Sequence, residues 1–304
     1  MINFENVSKF IISDLSLNVP QGQVVGVIGD TGSGKTTFVK LASGLLLPES
    51  GRVSLMHRDP LVIRGKKNSD LGVFITGVPF LSNEDSVFTG MDMIRTMYAI
   101  SGEEYKNTYK ELAERFGFKS YEHEKIKNLS AGQRRRVELA AVMSIEPKIV
   151  ILDEPDVGLD AEGRQILDEY VTMKKKQGVT FLITSHNLTG LSHICDRIMI
   201  LSEGKCIFYG SERTLRYEQL PINKMTVSYD GPVPSIDDLP IVKYTLDENE
   251  LVLEYNSRFI TASEILNVLM KQTKILDIKI SKPDLEQIII GMHNKERRGQ
   301  NELY

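Results

Sequence analysis

Apolar runs and helical patterns alternate along the first two thirds of the chain. The run Val24–Ile28 has no polar position and predicts a strand buried on both faces of a parallel sheet. A glycine-rich turn and a helical pattern from about Lys35 follow it. Strand patterns return at Lys148–Leu152 and Val179–Thr184, with a helical pattern over Ala161–Lys176 between them. This order predicts an α/β core.

Two stretches interrupt or precede that alternation. Ile2–Val7 and Asp14–Val19 alternate as short strands, and we expect them to form an antiparallel N-terminal part of a mixed sheet. Residues 88–145 are mostly helical in pattern, with breaks near Ser101 and Gly117. We therefore predict a helical subdomain inserted into the α/β core.

The pattern changes near Glu218–Pro221. Short alternating strands follow, with a helix over Ala262–Gln272 and a last helix from Pro283, which predicts a small α+β domain. The predicted domain limits are 1–217 for the core, about 88–145 for its helical subdomain, 221–294 for the C-terminal domain and 295–304 for a charged, frayed tail.

The turn after the first buried run fits a phosphate-binding loop at every fixed position. Glycines let backbone N–H groups converge on phosphates, and the following helix adds the positive end of its dipole. A lysine in this place reaches the phosphates, and the next hydroxyl binds Mg²⁺. The residues of this pattern are Gly29, Asp30, Thr31, Gly32, Ser33, Gly34, Lys35 and Thr36.

A second apolar run ends in two carboxylates, Asp153 and Glu154. Ligands bind at the carboxyl ends of strands in such sheets. Asp153 is a candidate for holding Mg²⁺, and Glu154 for polarising the attacking water as a general base. The alternative is a buried strand that simply ends in acids.

Three further motifs occur in a fixed order. Leu129–Gln133 opens a helix about twenty residues before the acidic strand, Val157–Asp160 follows that strand, and Thr184–His186 ends the next one. Together with the phosphate loop, they resemble the ATP-binding subunits of ABC transporters over roughly residues 1–215. Each has a simpler reading alone: Ser130 and Asp160 as helix N-caps, and His186 as a core histidine.

The resemblance implies a P-loop ATPase that binds ATP and Mg²⁺ and works as a homodimer or heterodimer. ATP would lie on the phosphate loop of one subunit and be covered by Ser130, Gly132 and Gln133 of the other. His186 would contact the γ-phosphate and hold Glu154 and the water in register. The implied nucleotide contacts also include Thr37 and Asp160, and the implied metal ligands are Thr36 and Asp153.

The chain departs from the family pattern at two positions. The aromatic residue that stacks on adenine has one candidate, Phe10, which could instead be a core residue at a strand end. The glutamine that contacts Mg²⁺ and relays to the membrane subunit is replaced by Thr76. We hypothesise that Mg²⁺ here depends more on Thr36 and Asp153, with a water filling the gap.

The C-terminal region resembles the extra domain of drug- and antibiotic-exporter ATPases, with a loosely similar Leu-Glu pattern at Leu285–Glu286. It could equally be an appendage that stabilises a dimer. The resemblance implies that the chain lies at the cytoplasmic face of the membrane and powers export through a separate membrane permease. The alternatives are import, or a non-transport role on ribosomes or chromosomes. A net charge of -4 argues against nucleic acid as the main partner.

Overall fold

The computed structural model describes residues 1–64, 70–186, 188–219, 222–281 and 292. The chain divides into two compact units, Met1–Gly210 and Ser211–Tyr304. The predicted domain limits at 217 and 221 stay a prediction. The helix expected from Pro283, the Leu-Glu pattern and the frayed tail lie outside the described residues.

The first unit contains two sheets and a set of helices. Its strands are β1 (Ile2–Lys9), β2 (Ile12–Val19), β3 (Val24–Ile28), β4 (Ser50–Leu55), β5 (Leu71–Phe74), β6 (Ile149–Asp153), β7 (Thr180–Ser185), β8 (Arg197–Ser202) and β9 (Lys205–Gly210). Its α-helices are α1 (Lys35–Ala42), α2 (Pro60–Arg64), α3 (Val87–Met97), α4 (Gly102–Arg115), α5 (Ala131–Met143), α6 (Ala161–Lys176) and α7 (Leu188–Ser192).

The larger sheet has the strand order β5-β6-β7-β3-β8-β9. All neighbours are parallel except β8 and β9, which form an antiparallel hairpin. Every residue of β3, β6 and β7 is buried, as expected for strands covered on both faces. Because these strands are parallel, the loops that follow them leave the same edge of the sheet, where ligands bind.

The smaller sheet is antiparallel, with the order β2-β1-β4. Its buried side chains, including Ile2, Phe4 and Leu55, join the same hydrophobic core as β3 and α1. The predicted mixed α/β fold with antiparallel N-terminal strands is confirmed. The strand β4 and the short helix α2 were not predicted. In β4, Ser50–Arg52 carries no apolar side chain, so the strand shows little periodicity.

The stretch between β5 and β6 is helical, as its pattern predicts. It contains α3, α4 and α5, and serine side chains mark their starts. Ser86 Oγ accepts a hydrogen bond from Thr89 N at the start of α3, and Ser101 Oγ accepts one from Glu104 N at the start of α4. The break predicted at Ser101 is therefore the N-terminus of a helix.

The second unit is an α+β module, as predicted. It contains α8 (Glu212–Gln219), β10 (Ile222–Asp230), β11 (Ile241–Asp247), β12 (Glu250–Asn256), α9 (Ala262–Leu269) and β13 (Lys274–Ser281). The strands form an antiparallel sheet in the order β11-β12-β10-β13. Alternate residues of β10 and β12 are buried against α9, through Ile265 and Leu269.

The helices of the described residues are short or amphipathic. None of them is both long enough and apolar enough to cross a lipid bilayer.

Candidate nucleotide-binding site

The loop between β3 and α1 curls around the side chain of Lys35. Gly32 and Gly34 have φ angles of 85° and 107°, a region that favours glycine. Lys35 is only 7% exposed, and its Nζ donates to the carbonyl oxygens of Gly29 at 2.7 Å and Asp30 at 3.2 Å. The ammonium is therefore held inside the loop that the sequence predicts to bind phosphate.

Two observations fit this loop to a phosphate group. Ser33 Oγ is buried and has no hydrogen-bond partner among the described residues, an arrangement that native proteins rarely leave uncompensated. A Cβ built at Gly32 would meet no described atom within 4 Å, so the space in front of the loop is open there. The N-terminus of α1 adds unpaired N–H groups and a positive partial charge. Thr36 and Thr37 lie in its first turn, the former exposed and the latter half-buried.

Phe10 lies in the turn between β1 and β2, next to the phosphate loop. Its side chain is 73% exposed, and Lys9 Nζ lies 4.8 Å from its ring centroid. A Cβ built at Gly34 would come within 3.1 Å of Ile11 Cγ2, so this turn contacts the loop. The alternative that Phe10 is a core residue is wrong, because the ring faces outward from β1. An exposed ring beside a phosphate loop is able to stack on a purine base.

Gly204, in the turn between β8 and β9, joins the β1–β2 turn to the phosphate loop. Its N–H donates to Ser33 O at 2.9 Å, and its carbonyl accepts from Ser13 N at 3.2 Å. Its φ is 80°, and a Cβ there would lie 1.7 Å from Ile11 O. The sequence shows only a hairpin turn at this point. The contact with the loop could not be predicted, because it depends on tertiary structure.

Asp153 ends β6 and is almost fully buried, with 3% of its surface exposed. Thr184 Oγ1 donates to Asp153 Oδ1 at 2.8 Å, across the parallel pairing of β6 with β7. Burial raises the pKa of the Asp153 carboxyl above its ordinary value, and the Thr184 hydrogen bond acts against that rise. Thr184 thus helps to keep a carboxylate in a position from which water is largely excluded.

Glu154 has a left-handed backbone conformation, with a φ of 48°. Its N–H lies 3.2 Å from Thr184 O and 3.0 Å from Thr184 Oγ1. Its Oε1 lies 3.6 Å from Lys35 Nζ, and its side chain is 29% exposed. The structure therefore brings the candidate base to the mouth of the phosphate loop, with access to solvent for a water molecule.

Thr76 follows β5, where the family resemblance predicts a glutamine. Its Oγ1 donates to Asp153 O at 2.6 Å and lies 3.4 Å from Glu154 O. The hydroxyl proton is therefore used on the backbone of the acidic motif. The hypothesis that Mg²⁺ depends on Thr36 and Asp153 stays a prediction. Among the described residues, no cluster of three or more His, Cys, Asp or Glu side chains could hold a metal.

The predicted signature segment starts α5. Ser130 Oγ accepts from Gln133 N at 3.2 Å, and Gln133 Oε1 accepts from Ser130 N at 2.9 Å, a complete capping box. Ser130 is exposed and Gly132 is half-buried. A Cβ built at Gly132 would lie 3.2 Å from Gly158 O, so the signature segment contacts the loop after β6.

Asp160 and His186 lie in two of the loops at the carboxyl edge, Asp160 at the end of the loop after β6 and His186 at the start of the loop after β7. Asp160 caps α6, since its Oδ1 accepts from Gly163 N at 2.8 Å and from the Arg136 guanidinium at 2.6 Å. Arg136 holds the pKa of Asp160 below its usual value. The capping role of Asp160 is confirmed. His186 is exposed directly after β7, so its alternative as a core histidine is wrong.

The contacts form two clusters within the first unit. The first contains the phosphate loop with Ser33, Lys35, Thr76, Asp153, Glu154 and Thr184. The second contains Ser130, Gly132, Gln133, Arg136, Gly158 and Asp160. Thr184 and Arg135 were missed as site residues. Thr184 belongs to the motif that ends β7, whereas Arg135 lies just after the signature segment. The contacts of each depend on which carbonyl or carboxylate it meets in the fold.

The comparisons with known proteins agree with this geometry. A family model described as ABC transporter matches residues 12–157. The EcfA2 ATP-binding protein of an energy-coupling factor transporter, from Caldanaerobacter subterraneus, is 31% identical; the alignment covers 75% of this chain and 80% of that protein. The chain belongs to the ABC transporter family, as an ATP-binding subunit that hydrolyses ATP.

Two further relatives extend the likeness into the second unit. The linearmycin resistance ATP-binding protein LnrL of Bacillus subtilis is 26% identical, over 98% of this chain and 100% of that protein. The Nod factor export ATP-binding protein I of Burkholderia lata is 29% identical, over 84% of this chain and 86% of that protein.

A solved structure shows the same fold. It is a dimeric ATP-binding cassette in a post-hydrolysis state, bound to ADP and phosphate. The TM-score is 0.60 at 22% identity, over 69% of this chain and 98% of that chain. The predicted family, fold and ATP hydrolase activity are confirmed.

Proposed function

We propose that this chain is the ATP-hydrolysing subunit of an exporter, acting as a dimer on a separate transmembrane permease at the cytoplasmic face of the membrane. The observation that carries the proposal is the separation of the two clusters. The phosphate loop meets Glu154, while Ser130 heads a different cluster around Gly158. A site of this kind is completed by a second subunit.

In the first cluster, each residue has one task in phosphoryl transfer. Lys35 and the amides of the loop bind the β- and γ-phosphates, and Ser33 Oγ supplies a donor for one phosphate oxygen. Thr36 and Asp153 provide oxygen ligands for Mg²⁺, which neutralises phosphate charge when it is bound. Glu154 accepts a proton from the attacking water.

In the second cluster, Ser130 and the Gly132 amide donate to the γ-phosphate held by the partner subunit. The capping box supports this role, because Gln133 N satisfies one acceptor position of Ser130 Oγ and fixes the rotamer of the hydroxyl. The donors are therefore oriented before the dimer closes. Since phosphoryl transfer depends mostly on positioning and charge, a site that lacks these donors turns over slowly.

Mixing two inactive variants tests the shared site. Lys35→Ala loses the phosphate contact, and Ser130→Arg places a bulky cation where the partner's phosphate would lie. Each variant alone should be inactive, and Ser130→Arg should still bind ATP as a monomer. A mixed dimer keeps one complete site, so an equal mixture should recover about a quarter of wild-type phosphate release. No recovery in mixtures that do form heterodimers would contradict the shared site.

Two relatives whose alignments reach both units support export as the direction of transport. One is named for resistance to linearmycin and another for export of Nod factor. ATP is hydrolysed on the cytoplasmic side, so an exporter should move cargo away from the side that holds this subunit. Linearmycin, taken from the name of that relative, is the probe cargo: if the permease accepts it, inside-out vesicles containing the chain and its permease should accumulate it when ATP is added. ATP-driven loss of preloaded linearmycin from the same vesicles would indicate import.

A further inference from the structure

Arg135, in the first turns of α5, is held between two segments of the first unit. Its side chain is 13% exposed. The guanidinium carbon lies 4.5 Å from the centroid of the Phe74 ring, and Nε donates to Val157 O at 3.0 Å. NH1 lies 3.9 Å from the Glu138 carboxylate. The planar cation therefore stacks on one segment and hydrogen-bonds the other.

Burial of this cation is unfavourable by itself. Burial lowers the pKa of Arg135, which means that the surroundings disfavour its charged form. The aromatic face of Phe74, which is 2% exposed, and the carbonyl of Val157 offset that penalty. Neither contact is within α5. Arg135 therefore connects the end of β5 to the loop that follows β6.

Both segments lead directly to residues of the reaction. Phe74 is two positions before Thr76, whose hydroxyl donates to Asp153 O at 2.6 Å. Val157 N lies 3.3 Å from Glu154 O, in a tight turn. Thr76 and Arg135 thus link the same two segments at two places. The Thr76 link lies at the acidic residues. The Arg135 link lies at Val157, on the far side of the turn that carries Glu154.

The unfavourable backbone conformation of Glu154 explains why these two links matter. A φ of 48° is unfavourable for a residue with a side chain, and such a residue keeps it only when its surroundings hold it there. The Glu154 N–H is held by Thr184, while the carbonyl side of the turn is held by Thr76 and Arg135. If that side relaxes, the carboxylate no longer points at the mouth of the phosphate loop.

We propose that Arg135 is a positioning residue for ATP hydrolysis: by holding Val157 against Phe74, it keeps the Glu154 turn in its reactive conformation. In its described interactions Arg135 contacts neither the phosphate loop nor Lys35, so we expect ATP binding by a single subunit to change little when Arg135 is replaced. The proposal adds to the ATPase activity of the family and does not depend on the direction of transport.

Steady-state phosphate release by the purified full chain tests this role. Arg135→Met keeps most of the buried volume and removes both contacts. We expect kcat to fall about tenfold and the KM for ATP to stay within about twofold, since the change affects the transition state more than binding. Arg134→Met is the matched control: it removes a neighbouring arginine of α5 that pairs with Glu138 at 3.1 Å, and kcat should stay within about twofold.

A second variant distinguishes positioning from general stability. Phe74→Leu removes the ring face and keeps an apolar side chain. Combined with Arg135→Met, it should lower kcat no further than the more severe single variant, because both changes break one link. Multiplicative losses in the double variant would overturn the proposal. So would a folded Arg135→Met protein with wild-type kcat, or one whose only change is a higher KM.

Arg135→Lys keeps the proposal testable if Arg135→Met does not fold. Lysine keeps a cation near the ring and lacks the Nε donor that meets Val157 O. We expect kcat to fall about threefold or more with unchanged KM. Wild-type kcat in a folded Arg135→Lys protein would show that the hydrogen bond does not position Glu154, and would overturn the proposal.

Discussion

Replacing Thr184 by valine tests whether a threonine hydroxyl keeps the buried carboxylate of Asp153 ionised. Thr184 is fully buried, and valine replaces its hydroxyl by a methyl group of similar size, so the change removes one hydroxyl without opening a cavity. The hydroxyl has two partners, Asp153 Oδ1 at 2.8 Å and Glu154 N at 3.0 Å. The consequences of losing them differ.

Glu154 N keeps an acceptor in the variant, because Thr184 O lies 3.2 Å away. Asp153 loses a donor, and it is only 3% exposed, so water cannot easily replace that donor. Hydrogen bonds to charged groups contribute about 1.5–3 kcal/mol. We expect Thr184→Val to lower the free energy of unfolding by about 2 kcal/mol at neutral pH. Thr184→Ser, which keeps the hydroxyl, is the control.

The pH dependence identifies the group responsible. Burial raises the pKa of Asp153 in the folded chain, so the folded chain binds more protons than the unfolded one. Stability therefore falls as pH rises from the unfolded to the folded pKa of Asp153. Thr184→Val raises the folded pKa further, so the fall is larger in the variant. The deficit of the variant relative to wild type is full above the variant's folded pKa and disappears below the wild type's folded pKa, where Asp153 is protonated in both folded chains.

Urea unfolding of the two variants and the wild type, from about pH 4 to pH 8, measures this deficit. A deficit that is the same at both ends of the range would show that Thr184 acts by packing. Equal stability of Thr184→Val and Thr184→Ser at neutral pH would show that the hydroxyl does not stabilise the carboxylate.

Two further predictions concern the walls of the nucleotide site. Gly204→Ala places a Cβ 1.7 Å from Ile11 O at a φ of 80°, so it should lower ATP affinity and lower the free energy of unfolding by about 2 kcal/mol or more. The control is Gly77→Ala, which has a φ of 81° with nothing described within 4 Å of its Cβ and should lose only about 1 kcal/mol. Equal losses of the two variants in urea unfolding would contradict the clash. Phe10→Ala should weaken ATP binding by about 1–3 kcal/mol in titration calorimetry, while Phe10→Tyr keeps the ring and the affinity; unchanged affinity in Phe10→Ala would remove the stacking role.

The local elements of this chain were predictable because their signals are local. The run Val24–Ile28 and the helix Ala161–Lys176 have the bounds that their patterns predict. The capping roles of Ser130 and Asp160 follow from side chains placed just before helical patterns. Such features need only a few neighbouring residues to be recognised.

The contacts between loops could not be predicted. Gly204 looks like an ordinary hairpin turn, yet it joins the phosphate loop to the β1–β2 turn. Arg135 looks like a surface residue beside two other arginines, yet it is half-buried and lies between Phe74 and Val157. The sequence also does not decide whether the Phe10 side chain is exposed or lies in the core. These positions depend on which strands become neighbours, and no short sequence window carries that information.

The contact between Thr76 and the acidic motif is a further example of a feature that the sequence does not show. The acidic pair at the end of β6 is visible in the sequence, and so is a threonine in place of the usual glutamine. The bond from Thr76 to Asp153 O, which ties these two features together, is visible only in the fold. That Thr76 stands in the place of a metal-binding glutamine stays a prediction from the family resemblance; the fold shows that its hydroxyl contacts the backbone of the acidic motif.

In the proposed mechanism, Glu154 acts as the base in a site that only a dimer completes. Glu154→Gln keeps the size of the side chain and removes the base. Light scattering and phosphate release on the full chain with Mg²⁺ and ATP test it directly. We expect an ATP-dependent dimer with ATP affinity retained and hydrolysis abolished. Undiminished hydrolysis, or a variant that stays monomeric at saturating ATP, would contradict it.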